Sequence, residues 1–472
     1  MTQDLAFTSA VDQRNAIAKK EVSPVELTKL YLDRIEQLDP HLNSFITVTK
    51  TEALETAQKA EDSIMKGEPL GPLHGLPTAI KDSENTRGVP STQGSLVFKD
   101  FVPTEDSVIV ERIKKAGAII LGKTNMPENG DLGTTENRLG DHCRNPWNTD
   151  RTAGGSSGGS ASAVAAGLCS LASGGDGGGS IRIPASFCGT YGIKPTLGRI
   201  PLYNGSKSPV TANHFTQLGP ISRTVADSAL MLQVLAGYDS RSPATIRQEP
   251  DDYLAATQKN IKGLKLAWSA DYGYAAVDPE VVSVCHSALS VFNDIVGAVA
   301  ESDLELTDPF EPFWTLYTTV SYARSGRMLE DHANDLTWYG REVLENGAKV
   351  TGAEYAKALG KVDVIKSLFA NQLEQYDLLL SPTMALPAFD VGQHPKEING
   401  QAVHPFWGFL PFTLPINMIG YPAASIPCGF SSEGLPIGLH IVGKPGREDT
   451  VLAASAAFER ARPWIQERPP IS

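Results

Sequence analysis

Apolar residues first fall into a helical rhythm after Ser23. Ser23-Pro24-Val25-Glu26 reads as a capping box with proline at the first helical position, and Leu27, Tyr31, Ile35 and Leu38 then share one face. Asp39-Pro40 is expected to stop this helix. A second amphipathic helix is expected over about 51–66, ended by Gly67. It leads to the short apolar run 76–80, a buried-strand candidate with Lys81-Asp82 at its end. From Asp106 the spacing of Val108, Ile109 and Ile113 is helical, Gly117 suits a left-handed C′ position, and 118–121 is another strand candidate, followed by Gly122-Lys123-Thr124-Asn125. The alternation returns with a strand at 264–268, then a helix opened by Asp278-Pro279 with Val282, Cys285, Leu289 and Phe292 inward. It closes with a strand at 435–442 and a helix over about 448–460. Strands alternating with helices predict an α/β fold. With no repeat and no low-complexity linker, residues 1–472 are expected to form one continuous domain.

Composition narrows the class of function. The chain is 41% hydrophobic, 20% charged and 7% aromatic, a globular balance. Its net charge of −13 repels polyanions and supplies no counterion-release term, which argues against nucleic acid as a partner. The five cysteines (Cys143, Cys169, Cys188, Cys285, Cys428) are far apart and form no C-x-x-C pair, so neither a structural metal nor a disulfide framework is expected. Met1-Thr2-Gln3-Asp4-Leu5 lacks a basic start followed by an apolar core, and no run of 18 apolar residues occurs. A cytoplasmic location without membrane association is the expectation.

The chemistry concentrates between Gly154 and Gly189, where eleven glycines and eight serines accompany only two charged residues, Asp176 and Arg182. Two glycine clusters, Gly154-Gly155-Ser156-Ser157-Gly158-Gly159-Ser160 and Gly174-Gly175-Asp176-Gly177-Gly178-Gly179-Ser180, flank the alanine-rich stretch 161–172, which reads as a buried helix. Three readings compete for the glycines. A phosphate cradle lacks both G-x-x-x-x-G-K-[ST] and a strand followed by G-x-G-x-x-G. A flexible glycine/serine linker is normally exposed and bordered by charges, unlike this stretch. An acyl-transfer site explains glycines and serines together, because glycines let several N–H groups converge on a developing oxyanion while a serine supplies the nucleophile. Such a serine needs a base. The nine histidines offer no triad signature, and G-x-S-x-G is absent around Ser180. Lysine serves only if burial lowers its pKa from about 10.4 by several units, and Lys81, at the end of an apolar strand, is the candidate for that. Cys188 is better read as a core cysteine than as a thiol nucleophile, and His142 and His440 lack partners at metal-ligand spacing.

The two clusters, continued by Ile181-Arg182-Ile183-Pro184-Ala185, resemble the signature of the amidase signature family, and flanking segments agree: Gly75-Leu76-Pro77, Asn145-Pro146-Trp147, Gly192-Ile193-Lys194-Pro195-Thr196, Gly219-Pro220-Ile221 and Gly420-Tyr421-Pro422-Ala423. The resemblance spans nearly the whole chain, with a signature core at about 70–230. It implies a central twisted mixed β-sheet covered on both faces by α-helices. It also implies a cofactor-free hydrolysis of amide-like C–N bonds in small molecules (amide, anilide, possible carbamate or urethane, esters as a side activity), by a monomer or homodimer. Stand-alone amidases, fatty-acid-amide-hydrolase-like enzymes and the glutaminase subunits of amidotransferases are all similar to it.

Carried over by position, the resemblance places a nucleophile at Ser180, a proton relay at Ser156 behind a cis peptide and a base at Lys81. The amides of Gly177, Gly178, Gly179 and Ser180 become the oxyanion donors. Asp176 is then a positioning acceptor, Arg182 a structural ion-pair partner and Ser157 a supporting hydrogen-bonding residue. The loop after Asn125 gives Gly130, Asp131, Leu132 and Gly133 as substrate-lining positions, two glycines suggesting a roomy wall. The aromatic segment 404–412 resembles the family's variable pocket loop, with Phe406 and Trp407 as lining candidates. If it lines the pocket, aryl or alkyl acyl groups are favoured over small polar ones. The alternative role is the glutaminase subunit of a tRNA-dependent amidotransferase. Against it, Ile183 stands where those subunits usually carry glutamine, and their tyrosine-rich substrate segment is not recognisable around 321–327. A third reading, a ligand-binding relative without activity, requires loss of a catalytic side chain, and all three are present.

Overall fold

The structure, a computed structural model, describes residues 2–206 and 213–471. Its frame is an 11-stranded sheet. In chain order the strands are β1 (Phe45–Val48), β2 (Pro77–Lys81), β3 (Ile119–Thr124), β4 (Leu171–Asp176), β5 (Tyr191–Lys194), β6 (Gln217–Ser222), β7 (Leu266–Trp268), β8 (Val299–Glu301), β9 (Leu378–Pro382), β10 (Ala423–Phe430) and β11 (Pro436–Gly443). In space they run β1-β3-β2-β4-β6-β5-β10-β11-β9-β7-β8. The sheet is mixed: β3, β2 and β4 are parallel, as are β9, β7 and β8, whereas β4, β6, β5, β10, β11 and β9 alternate in direction.

Every residue of β2, β4, β5, β6, β9 and β11 is buried, so both sheet faces are covered. This is why these strands appear in the sequence as unbroken runs of apolar and small residues rather than as alternations. The covering helices include α1 (Pro24–Leu42), α2 (Lys50–Lys66), α3 (Val108–Lys115), α4 (Gly158–Ala165), α5 (Arg182–Cys188), α6 (Pro279–Val296), α7 (Phe310–Ser325), α8 (Thr413–Ile419) and α9 (Glu448–Ala461). Among the described residues no helix is long and apolar enough to cross a membrane.

Most expected elements lie within one to three residues of the observed ones, and the capping chemistry explains why. Ser23 accepts from the Val25 and Glu26 amides, and Glu26 accepts from the Ser23 amide, which closes the capping box of α1. Three expectations are corrected. Helix α1 continues through Pro40 to Leu42, because a proline in the last turn removes a single ladder bond; Asn43, at φ 49°, ends the helix instead. The stretch 161–172 is helical only to Ala165; Gly167 turns the chain at φ 64°, and Leu171 and Ala172 already belong to β4. In α6, Val281 and Ala288 face the core beside Cys285, Leu289 and Phe292, while Val282 is half-buried.

Candidate active site

Three segments meet at the C-terminal ends of the parallel strands β2 and β4, the position where open α/β sheets present their sites. Lys81 is the last residue of β2, and its backbone N–H donates to Ser173 Oγ of β4 at 2.9 Å. Strand β4 runs out through Gly174-Gly175-Asp176 into the loop Gly177-Gly178-Gly179-Ser180, which leads into α5. Ser156 and Ser157 precede α4, and the Gly155–Ser156 peptide is cis. The glycines allow backbone contact at close range. A Cβ on Gly155 would stand 2.4 Å from the Thr134 carbonyl oxygen, and one on Gly159 would stand 2.3 Å from the Asn125 nitrogen.

Lys81 Nζ donates to Ser156 Oγ at 2.7 Å and to the Gly175 carbonyl at 3.3 Å. Burial lowers the Lys81 ammonium to about 7, against the opposing pull of the Glu84 and Asp176 charges. The neutral amine is therefore populated near neutral pH. Ser157 ties the segments together: its hydroxyl exchanges hydrogen bonds with the Gly175 N–H and C=O, each at 3.2 Å, and its N–H donates to the Ser180 carbonyl at 3.1 Å. Ser156 and Ser180 are both almost fully buried, yet both open onto one cavity of about 880 Å³, whose wall also includes Lys81, Gly177 and Gly178. That is ample room for a small organic substrate.

Asp176 organises the glycine loop from beneath. Its carboxylate accepts from the Gly179 N–H at 2.7 Å and the Ile181 N–H at 3.2 Å. Arg182 grips both carboxylate oxygens, at 2.9 and 3.0 Å, and Asn417 Nδ2 adds a bond at 2.8 Å. Burial pushes the Asp176 carboxyl up, but Arg182, Lys194 and Asn417 outweigh it and hold the group far below the usual carboxylate range. Arg182 also donates to His440 Nε2 at 3.0 Å, and burial together with that guanidinium holds the imidazole neutral. Of the expected oxyanion set, the Gly179 N–H is the one that bonds within the protein, to Asp176. Among the described residues no acceptor takes up the N–H groups of Gly177, Gly178 or Ser180, and these are the donors left for a ligand.

Residues 26–452 match the amidase family model. The chain belongs to the amidase family. It is 36% identical over 473 residues to an acylamidase from Rhodococcus erythropolis, covering 99% of this chain and 98% of the relative. It is also 38% identical over 490 residues to a glutamyl-tRNA(Gln) amidotransferase subunit from Moorella thermoacetica, covering 99% of each chain. Among solved structures, a bacterial aryl acylamidase of the amidase signature enzymes superposes with a TM-score of 0.92 at 34% identity, covering 98% of this chain and 97% of the other. The chain is accordingly an amidase signature hydrolase of C–N bonds.

In this amidase the expected substrate-lining residues separate into two groups. Gly130 and Trp407 are on the cavity wall; Asp131, Leu132, Gly133 and Phe406 are not. Leu132 is a core residue, and a Cβ on Gly133 would stand 2.9 Å from the Phe409 ring, so that glycine accommodates an aromatic neighbour rather than a substrate. The Phe406 ring stacks on Trp338 at 4.5 Å between centroids. Asp131 lies one layer behind the wall, where Oδ1 accepts from the Tyr317 hydroxyl at 2.6 Å. Burial raises its carboxyl to about 6, opposed by Arg324 and the Tyr317 bond.

Several wall and support residues lie outside the expected set. Tyr317 and Arg324 reach the cavity from α7, and Phe215 and Thr216 reach it from the segment before β6. Thr413 and Asn417 of α8 hold the glycine loop from behind. The signal for that last pair was present: two polar residues, four positions apart, in the otherwise apolar helix Thr413–Ile419.

Proposed function

We propose that this chain is a stand-alone acylamidase that hydrolyses amides and anilides through a Ser180 acyl-enzyme. The observation that carries the reading is the 2.7 Å contact between Lys81 Nζ and Ser156 Oγ, made by a lysine that burial lowers to about 7, so that its neutral form is populated near neutral pH, beside a cavity shared with Ser180. Ser180 Oγ attacks the substrate carbonyl carbon, its proton passes to Ser156 Oγ, and the Ser156 proton passes to Lys81 Nζ. The carbonyl oxygen becomes an oxyanion facing the N–H groups of Gly177, Gly178 and Ser180; one such donor is typically worth about 3–4 kcal/mol of barrier. As the C–N bond breaks, Lys81 returns a proton through Ser156 to the leaving nitrogen, and the amine departs. Water, activated by the same relay, then attacks the acyl-enzyme and releases the carboxylic acid and free Ser180.

The aromatic wall formed by Phe215, Tyr317 and Trp407 supports aryl and alkyl acyl groups over small polar ones. The likeness to an amidotransferase subunit supports a second reading, glutaminase activity that feeds ammonia to a partner. Ile183 and the aromatic wall favour the first.

A panel of amides, anilides, carbamates and esters, with glutamine among them, tests both. Release of amine from anilides well above release of ammonia from glutamine is the expected result. Preferential turnover of glutamine selects the second reading, and no turnover of any member removes the hydrolase reading.

A further inference from the structure

Helix α7 lies along the cavity like a graduated wall. Tyr317, Val320, Ser321 and Arg324 all line it, and their i, i+3, i+4, i+7 spacing puts them on one helical face. The inner end of that face is fixed beside the glycine loop, because a Cβ on Gly178 would stand 3.2 Å from the Phe313 ring. Phe313, Tyr317 and Trp407 form an aromatic cluster there, with ring centroids 5.4–5.6 Å apart. Arg324 comes eleven residues after Phe313. At 1.5 Å per residue that is about 16 Å along the helix axis. The wall therefore passes from aromatic next to the catalytic serine to polar and cationic at the solvent end, where Arg324 is exposed.

Three arginines line this cavity, and two have acidic partners. Arg241 is held by Glu111 at 2.7 Å and by Asp239 at 2.8 Å, and Arg327 faces Asp331 at 3.7 Å. Arg324 has no hydrogen-bond or ion-pair partner among the described residues, and its charge reaches Asp131 only through space. Among the described residues the acidic member of the cavity wall is Glu84, whose charge acts on Lys81 and Lys123. In a chain of net charge −13, Arg324 is a cation at the open end of the cavity with no directly bonded acidic partner among the described residues.

We infer that the substrate is an elongated amide with an apolar body and a terminal carboxylate, the body lying along α7 and the carboxylate pairing with Arg324 about three helical turns from the scissile carbonyl. The inference rests on the hydrolase reading above. A guanidinium suits this task because its fork of donors meets a carboxylate in two parallel bonds.

The test measures kcat/KM of the full chain on matched substrate pairs. One series sets ω-carboxyacyl 4-nitroanilides of increasing length against methyl-ended acyl anilides of the same length. A second carries the carboxylate on the amine part, as amides of ω-amino acids against amides of the matching alkylamines. At one chain length in one series, the carboxylate member is expected to be favoured about five- to tenfold, mainly through KM, with the preference weakening as salt rises. The ratio should fall to near one in Arg324→Gln and persist in part in Arg324→Lys. Uncharged members that match or exceed their partners at every length in both series overturn the inference, as does a preference that survives Arg324→Gln. Wild-type protein that turns over no member of either series removes the hydrolase reading, and this inference with it.

Discussion

Thr413 Oγ1 donates a 2.7 Å hydrogen bond to the Gly178 carbonyl, from a helix 235 residues further along the chain. The N–H of the same peptide unit, on Gly179, donates to Asp176 Oδ1 at 2.7 Å. One peptide plane of the glycine loop is therefore held at both ends, which fixes where the neighbouring N–H groups point. A Cβ on Gly179 would stand 2.4 Å from Thr413 Oγ1, so the close approach itself requires glycine.

Thr413→Val keeps the shape of the side chain and removes the donor. It should lower kcat about ten- to a hundredfold with a smaller change in KM, because the lost alignment matters most when the oxyanion develops. Thr413→Ser should restore most of the rate. Steady-state kinetics of both variants, alongside thermal melts, check this.

Lys81 acts as base only when neutral, and its folded-state pKa is lowered to about 7. The neutral fraction rises with pH, so kcat/KM should climb up to about pH 7 and level off above it, the free-enzyme profile reporting that group. Lys81→Ala should lose most activity at neutral pH and recover part of it at alkaline pH. Equal activity of Lys81→Ala and wild type at pH 7 would exclude the lysine as base.

Arg182 and Asp176 form an ion pair with no exposure on either side chain. Removing the cation leaves an uncompensated buried carboxylate that still has to hold the Gly179 and Ile181 amides. Arg182→Met should therefore cost about 3–5 kcal/mol of stability, measured by urea denaturation. A loss under 1 kcal/mol would show that Asn417 and the amides suffice.

Gly130 has φ 79°, and a Cβ there would stand 3.2 Å from Ser156 Oγ. Gly130→Ala should cost about 1–2 kcal/mol through backbone strain and reduce kcat about ten- to a hundredfold by displacing the Ser156 hydroxyl. Kinetics beside a denaturation curve separate the two effects.

The local signals in the sequence carried far where chemistry is local. Ser23 and Asp278 cap helices through their side chains, Gly67 ends one at φ 72°, and Lys81 ends a strand with no exposed residue. The two serine clusters were legible because dense glycines without bordering charges suit close backbone approach better than a flexible linker. What stayed hidden depends on long-range approach. Nothing near Gly179 announces that its N–H belongs to Asp176, nor does the loop 130–133 reveal that Gly133 makes room for Phe409 while Gly130 faces Ser156. The split at Gly167 was missed because an alanine-rich run suits a buried helix and a buried strand alike.

The central claim is that Ser180 is the nucleophile, and covalent labelling measures it most directly. Wild-type protein incubated with a fluorophosphonate and examined by intact-mass and peptide-mapping mass spectrometry should carry one adduct, on Ser180, in step with loss of anilide hydrolysis, whereas Ser180→Ala should remain unlabelled and inactive. An adduct on Ser156 or elsewhere, or full activity in Ser180→Ala, would contradict the account.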